Sequence, residues 1–163
     1  MHHKLRKFLT EKASLFPVMS LAITATLLFD QKIGLSGLIP TNILWLMQGG
    51  DWTQHHLGWE FFRITPLQYP FGTIQGFFAP LQSTIGYTDS IPFIAIPLRL
   101  LSPFLPDNFQ YIGPWIWSCF FLQGYLGFKL AEVISPSQVT STLVALLLQL
   151  SPILLLRLGH PAL

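Results

Sequence analysis

The stretch VTSTLVALLLQLSPILLL, residues 139–156, decides the class of fold. It contains no charged residue, and its 18 residues match the length of apolar helix that crosses the hydrocarbon core of a bilayer. Residues 13–29 and 109–128 form two more uncharged runs of similar length. Only 10% of the whole chain is charged, against about a quarter in soluble domains. These features predict an integral membrane protein.

The charges beside the first run predict an orientation. Lys4, Arg6, Lys7 and Lys12 precede it, and positive residues next to a span usually stay on the cytoplasmic side. No small-residue cleavage site follows the run, so we expect a retained anchor. We therefore expect an N-terminus in the cytoplasm and a location in the inner (cytoplasmic) membrane of a bacterium.

The fold class that follows is an all-α membrane protein that forms a single module over residues 1–163. Three transmembrane helices are expected, with juxtamembrane helices in a large first exterior loop, residues 30–108. The expected spans are residues 13–29, 109–128 and 139–156.

Residues 91–105 leave a fourth span open. This run is apolar but short, and it contains Arg99 and three prolines, which favours an interfacial helix. If the run crosses the membrane instead, the chain has four spans and the later loops change sides.

Composition also limits the function. The net charge of +2 is small and dispersed, so nucleic acid is not an expected partner. The single cysteine, Cys119, lies in an apolar run and cannot form a disulfide framework. The chain has no nucleotide-binding loop and no CxxC, HExxH or GxSxG motif. Membrane lipid is the partner that the composition itself indicates.

The polar groups concentrate in GGDWTQHHLGWEFFR, residues 49–63. In an apolar chain such a cluster beside a span usually marks the working surface. We expect a helix at about residues 52–63, with Asp51 as its cap and Gln54 three residues on. Asp89, shortly before Pro92, has the same pattern of a helix start. Capping alone is therefore one interpretation of both acids.

Helical spacing groups the remaining polar residues of this stretch. Asp51 and His55 share one face, and His56 and Glu60 share another. Either pair could hold a divalent cation, with His55 as the candidate metal ligand, but neither has a third ligand. Solvent-facing polar residues at the interface are the alternative. Residues 66–80, with their prolines and glycines, predict an irregular loop.

Several uncommon blocks occur in a fixed order after about residue 39. They are GD at 50–51, QHxLGWEFFR at 54–63, TDSIP at 88–92, LSPxLP at 101–106, FQYxGxW at 109–115 and RLGH at 157–160. This order resembles a bacterial family of large polytopic membrane proteins, which is similar to the GT-C glycosyltransferases. Such enzymes take a sugar from a polyprenyl-phosphate donor at the outer face of the membrane.

The resemblance implies roles for the polar residues. Two acids would act in catalysis, Asp51 as base or metal-organising acid and Asp89 as the second acid. Substrate contacts would come from Glu60, Arg63 and His160, although Arg63 could equally anchor to lipid headgroups. A polyprenyl-phosphate sugar would be the partner, and a divalent cation could be the cofactor.

The length of the chain and its membrane class leave a second function open. Members of the resembled family are several times longer, so we expect this chain to need a missing C-terminal part or a partner subunit. The alternative function, from another class, is a non-catalytic integral membrane scaffold or assembly subunit whose polar loop binds a partner.

Overall fold

A computed structural model describes residues 15–159 of the chain. Within that range it contains six α-helices, one β-hairpin and three short 3-10 turns at Leu35–Leu38, Leu46–Gln48 and Ser102–Phe104. The helices and strands are, in chain order, α1 (Leu15–Lys32), α2 (Asp51–Ile64), β1 (Thr73–Phe78), β2 (Leu81–Thr84), α3 (Pro92–Leu100), α4 (Ile112–Ile134), α5 (Gln138–Gln149) and α6 (Pro152–Leu156).

Three of the helices, α1, α4 and α5, pack against one another. Two glycines of α4 allow the close approach of α5. A Cβ on Gly124 would lie 2.9 Å from Cδ of Gln149, and one on Gly127 would lie 2.8 Å from Cδ1 of Leu148. Small residues at such contacts are typical of helices packed in membranes. The apolar core between these helices consists of Leu21, Phe128 and Ala145.

A larger core lies beneath α2. It combines the inner faces of α1, α2, α3 and the first half of α4 with two residues of the hairpin region. Its most deeply buried side chains are Ala25, Phe29, Leu46, Trp59, Ile74, Ala95, Ile112 and Phe120. The core therefore packs against the buried face of α2 and leaves the first turn of that helix at the surface.

The start of α4 is joined directly to the turn that follows α1. Gln110 is fully buried, and its Nε2 donates to the carbonyl oxygens of Gly37 and Ile39, both at 2.9 Å. Its Oε1 accepts from the backbone N–H of Gly113 at 2.9 Å. A Cβ on Gly113 would lie 2.8 Å from the carbonyl carbon of Gly37 and closer still to its oxygen. The two backbones are therefore in contact.

The predicted irregular loop over residues 66–80 is wrong in its second half, where the chain forms a two-stranded antiparallel sheet. Phe78 pairs with Leu81 across the turn, and an irregularity earlier in β1 surrounds Gly76, which has a φ of 82°. β-Branched and aromatic residues favour strands. Gly76 and Pro80 hid this signal because they lie at the irregularity and at the turn.

The prediction of an all-α protein with three transmembrane helices is also wrong. The hairpin adds a sheet, and within residues 15–159 only Gln138–Leu156 is long and apolar enough to cross a membrane, by length and composition alone. We call this stretch, which contains α5 and α6, the candidate membrane helix. The uncharged runs and the helices do not coincide, because α1 includes Asp30 and Lys32 and α4 continues past Lys129 and Glu132.

Residues 91–105 form α3 and a 3-10 turn. The nine residues of α3 are too few to cross a bilayer. The alternative with four spans is therefore wrong as well.

Candidate functional site

Most of the predicted site residues lie on α2. This helix begins at Asp51, and its N-cap is Gly50, which has a φ of 68°. The prediction that Asp51 is the N-cap is therefore wrong. Thr53 ties the helix start to the preceding turn, because its Oγ1 accepts from the N–H of Gly49 at 2.9 Å and donates to the carbonyl oxygen of Leu46 at 2.8 Å. Asp51 lies in the first turn, where the helix dipole favours an acid.

His55 connects three segments of the chain. Its Nδ1 lies 3.0 Å from the carbonyl oxygen of Thr88, and its Nε2 lies 2.8 Å from the carbonyl oxygen of Gly159. The ring is buried. Both ring nitrogens therefore face backbone carbonyl oxygens, which are acceptors. The start of α2, residues 87–90 and the residues after α6 therefore meet here, and we call this place the His55 junction.

Residues 87–90 lie tightly against α2. The Oγ of Ser90 donates to the carbonyl oxygen of His55 at 2.7 Å, and both Thr88 and Ser90 are fully buried. A Cβ on Gly58 would lie 2.5 Å from the Oγ of Ser90. The approach therefore requires a glycine in the middle of the helix.

The two predicted catalytic acids lie in segments that meet at the His55 junction. A Cβ on Gly159 would lie 3.4 Å from Oδ2 of Asp51, so the carboxylate of Asp51 borders the residues after α6. Asp89 follows the buried Thr88, is half-buried and has a φ of 50°. It is not a helix cap, because α3 has Ile91 as its N-cap and no side-chain capping bond.

His160, which the resemblance assigns to a substrate contact, lies outside the described residues. Its neighbour Gly159 is the residue that borders Asp51. The structure therefore brings the segment that leads to His160 to the start of α2.

Arg63 holds the loop that follows α3. Its Nε donates to Oγ of Ser102 at 2.6 Å. Its Nη1 and Nη2 donate at 2.7–3.2 Å to the carbonyl oxygens of residues 102, 105, 106 and 107. A guanidinium has five N–H donors, and five bonds within the chain engage them. No donor is left for a substrate phosphate, so we do not include Arg63 in the candidate site.

His56 and Glu60 occupy another face of α2, and each has a buried polar atom without a hydrogen-bond partner within residues 15–159. These atoms are Nδ1 of His56 and Oε1 of Glu60. Burial lowers the pKa of His56 and thus favours its neutral form. Burial raises the pKa of Glu60, although the Arg63 guanidinium opposes this shift, and the carboxylate of Asp107 adds to it. Titratable groups with such shifts cluster at functional sites.

We expect Glu60→Gln to stabilise the protein at neutral pH. A carboxyl whose pKa is raised by folding stabilises the fold most below its unfolded pKa, and this contribution is lost as the pH rises through the folded pKa. The gain in unfolding free energy of Glu60→Gln should be about 1 kcal/mol at most. It should shrink as the pH falls through the carboxyl range.

Thermal unfolding of both proteins in mild detergent between acidic and neutral pH measures this difference. Glu132→Gln is the control, because it removes only a half-buried partner of Lys129, 2.8 Å away on α4, and such pairs contribute little. A gain for Glu60→Gln that is the same at every pH would contradict the prediction.

The described residues offer no site for the expected divalent cation. Within residues 15–159, no group of three or more His, Cys, Asp and Glu side chains could hold a metal ion. His55, the expected ligand, directs both ring nitrogens at carbonyl oxygens. A metal role for His55 thus has no support in this arrangement.

Residues 22–163 match the family model described as "Domain of unknown function (DUF6311)". The chain belongs to this family. The match includes α2, residues 87–90 and the residues after α6, so the whole His55 junction lies within the DUF6311 domain. No curated protein and no solved structure matches the chain significantly.

Sequence reasoning missed several parts of this site in the DUF6311 domain. The hydroxyls of Thr88 and Ser90 were not expected to be buried against α2, and Gly159 was not expected to bond to His55. One signal could have indicated the contact. Gly58 lies inside a helix, where glycine costs about 1 kcal/mol relative to alanine, and such a glycine usually has a packing reason.

Proposed function

We propose that this DUF6311 domain is a module of a membrane glycosyltransferase that takes a sugar from a polyprenyl-phosphate donor at the outer face of the cytoplasmic membrane. The observation that carries the proposal is the His55 junction, where the acid in the first turn of α2 borders the residues after the candidate membrane helix. The end of such a helix lies where the phosphate of a lipid-linked donor meets water. The ordered blocks resemble a bacterial membrane protein family that is similar to the GT-C enzymes, and this resemblance suggests the chemistry.

Asp51 acts as the general base in this proposal. It accepts the proton of an acceptor hydroxyl while the hydroxyl oxygen forms a bond to the anomeric carbon of the sugar. The bond from that carbon to the phosphate oxygen breaks, and the polyprenyl phosphate leaves with the electron pair. Asp89, which follows Thr88 of the junction in the chain, orients the acceptor. His55 is a positioning residue, because it holds the three segments together.

The leaving phosphate needs a positive partner. Arg63 is engaged with its own chain, as described above. Arg157 is the C-cap of α6, has an exposed side chain and lies two residues before Gly159. We therefore assign the phosphate contact to Arg157, with His160 as the second candidate.

A membrane location is supported by exposed apolar side chains on the packed helices. Leu27 of α1, Leu126 of α4 and Leu147 of α5 are each more than half exposed. Monomeric soluble proteins rarely expose large apolar patches, whereas lipid contact favours them.

Membrane vesicles from cells that express the complete gene containing the coding sequence of this chain, or this chain with its partner subunit, test the proposal. We supply a panel of radiolabelled polyprenyl-phosphate sugars and measure the transfer of label from lipid to other products. Transfer should be faster than in vesicles from cells with an empty vector. Equal rates for every sugar would contradict the proposal and favour a non-catalytic scaffold or assembly subunit.

A further inference from the structure

Residues 64–88 contain no charged residue and no histidine. We call them the uncharged segment. Its hairpin and flanking loops lie at the surface of the protein, yet several large apolar and aromatic side chains are more than half exposed. They are Leu67, Tyr69, Phe71, Phe78, Leu81 and Tyr87. A soluble surface of this length normally contains charges, so the composition indicates an environment other than bulk water.

The His55 junction sets the depth of this segment relative to the candidate membrane helix. That helix ends at Leu156, and the carbonyl oxygen of Gly159 is bonded to Nε2 of His55 at 2.8 Å. The Nδ1 of the same ring is 3.0 Å from the carbonyl oxygen of Thr88, the last residue of the uncharged segment. By length and composition, the 19 residues of the candidate membrane helix are enough to cross the hydrocarbon core of a bilayer. The segment is therefore attached where such a helix leaves the hydrocarbon.

We infer that the uncharged segment docks onto the lipid bilayer, with its aromatic side chains at the level of the headgroups. The inference rests on the membrane location within the proposed function and does not depend on the transfer chemistry. It gives the hairpin a role as an interfacial anchor that holds the His55 junction at the membrane surface.

The backbone of the hairpin favours the headgroup layer over the hydrocarbon core. A two-stranded sheet has two edges with unpaired N–H and C=O groups, and the hydrocarbon core does not tolerate such edges. Water and headgroups can bond to them. Tyrosine rings are also enriched at this level, because the ring is apolar and the hydroxyl is polar. The two exposed tyrosines of the segment, Tyr69 and Tyr87, fit that environment.

Fluorescent labels at single cysteines test the depth. In a Cys119→Ser background, Phe71→Cys and Leu81→Cys place a bimane label on the exposed hairpin region. Leu147→Cys labels the exposed side of the candidate membrane helix, and Asn108→Cys labels an exposed polar loop. The proteins are reconstituted in vesicles of phosphatidylethanolamine and phosphatidylglycerol. These vesicles contain lipids spin-labelled near the headgroup or near the acyl-chain end, and iodide probes access from water.

Lipids labelled near the headgroup should quench the labels at positions 71 and 81 at least about twofold more than the label at position 108, because interfacial side chains lie at headgroup level. Lipids labelled near the chain end should quench the label at position 147 most. If the labels at positions 71 and 81 are as accessible to iodide as the label at position 108 and no lipid quenches them, the inference is overturned. It is also overturned if lipids spin-labelled near the acyl-chain end quench the labels at positions 71 and 81 most strongly. If no lipid quenches the label at position 147, the candidate membrane helix is not in the bilayer, and the inference is overturned as well. Failure of sugar transfer alone would leave it intact.

Discussion

Asp51→Asn should lower the rate of sugar transfer by about 10²–10⁴-fold, the usual contribution of a general base. The amide has the size of the carboxylate but cannot take up the proton of the acceptor hydroxyl. Stability should hardly change, because Gly50 and not Asp51 is the N-cap of α2. The measurement compares initial transfer rates in vesicles with matched amounts of folded protein.

Asp30→Asn is the matched control. It makes the same chemical change at an exposed acid in the last turn of α1, where Oδ1 accepts from the N–H of Leu35 at 3.1 Å. An asparagine oxygen can accept that bond too, so the transfer rate should stay at the wild-type value. If Asp51→Asn also retained the wild-type rate, Asp51 would not be the base.

Gly113→Ala should lower the free energy of unfolding by about 2–4 kcal/mol, because it overpacks a contact between two backbones. The new Cβ would lie 2.8 Å from the carbonyl carbon of Gly37 and closer to its oxygen. Helix propensity alone predicts that Gly113→Ala raises the free energy of unfolding, since alanine stabilises a helix interior by about 1 kcal/mol relative to glycine. Unfolding followed by tryptophan fluorescence in mild detergent measures the change.

Gly86→Ala serves as the control for this prediction. A Cβ on Gly86 would meet only Oγ1 of Thr84, at 3.7 Å, which is ordinary contact. The change in unfolding free energy should therefore stay within about 0.5 kcal/mol. A loss at Gly113 no larger than the loss at Gly86 would mean that the start of α4 can move away from Gly37.

Some parts of the fold and site could be predicted from local patterns. The helix at residues 52–63 is present as α2 (Asp51–Ile64), because its apolar residues recur at helical spacing. The same spacing predicts that Asp51 and His55 share a face. Asp51 borders the residues that follow the candidate membrane helix, and its place at a membrane surface stays a prediction.

Other predictions failed where two signals conflicted. The prolines and glycines of residues 66–80 indicated a loop, whereas Ile74, Phe77 and Phe78 favour a strand, and the hairpin forms. Three apolar runs suggested three spans. The helices that contain the first two runs extend into charged residues, so they do not have the composition of a span.

By itself, the sequence determined the apolar class of the chain, the helix α2 and the faces of its polar residues, because these depend on spacing along one segment. Only the tertiary structure decided that His55 joins Thr88 and Gly159, which lie 33 and 104 residues away. Both partners offer backbone carbonyl oxygens, which every residue type has. No side-chain pattern can mark such bonds, and they form only after packing at Gly58 and Ser90 brings the segments together.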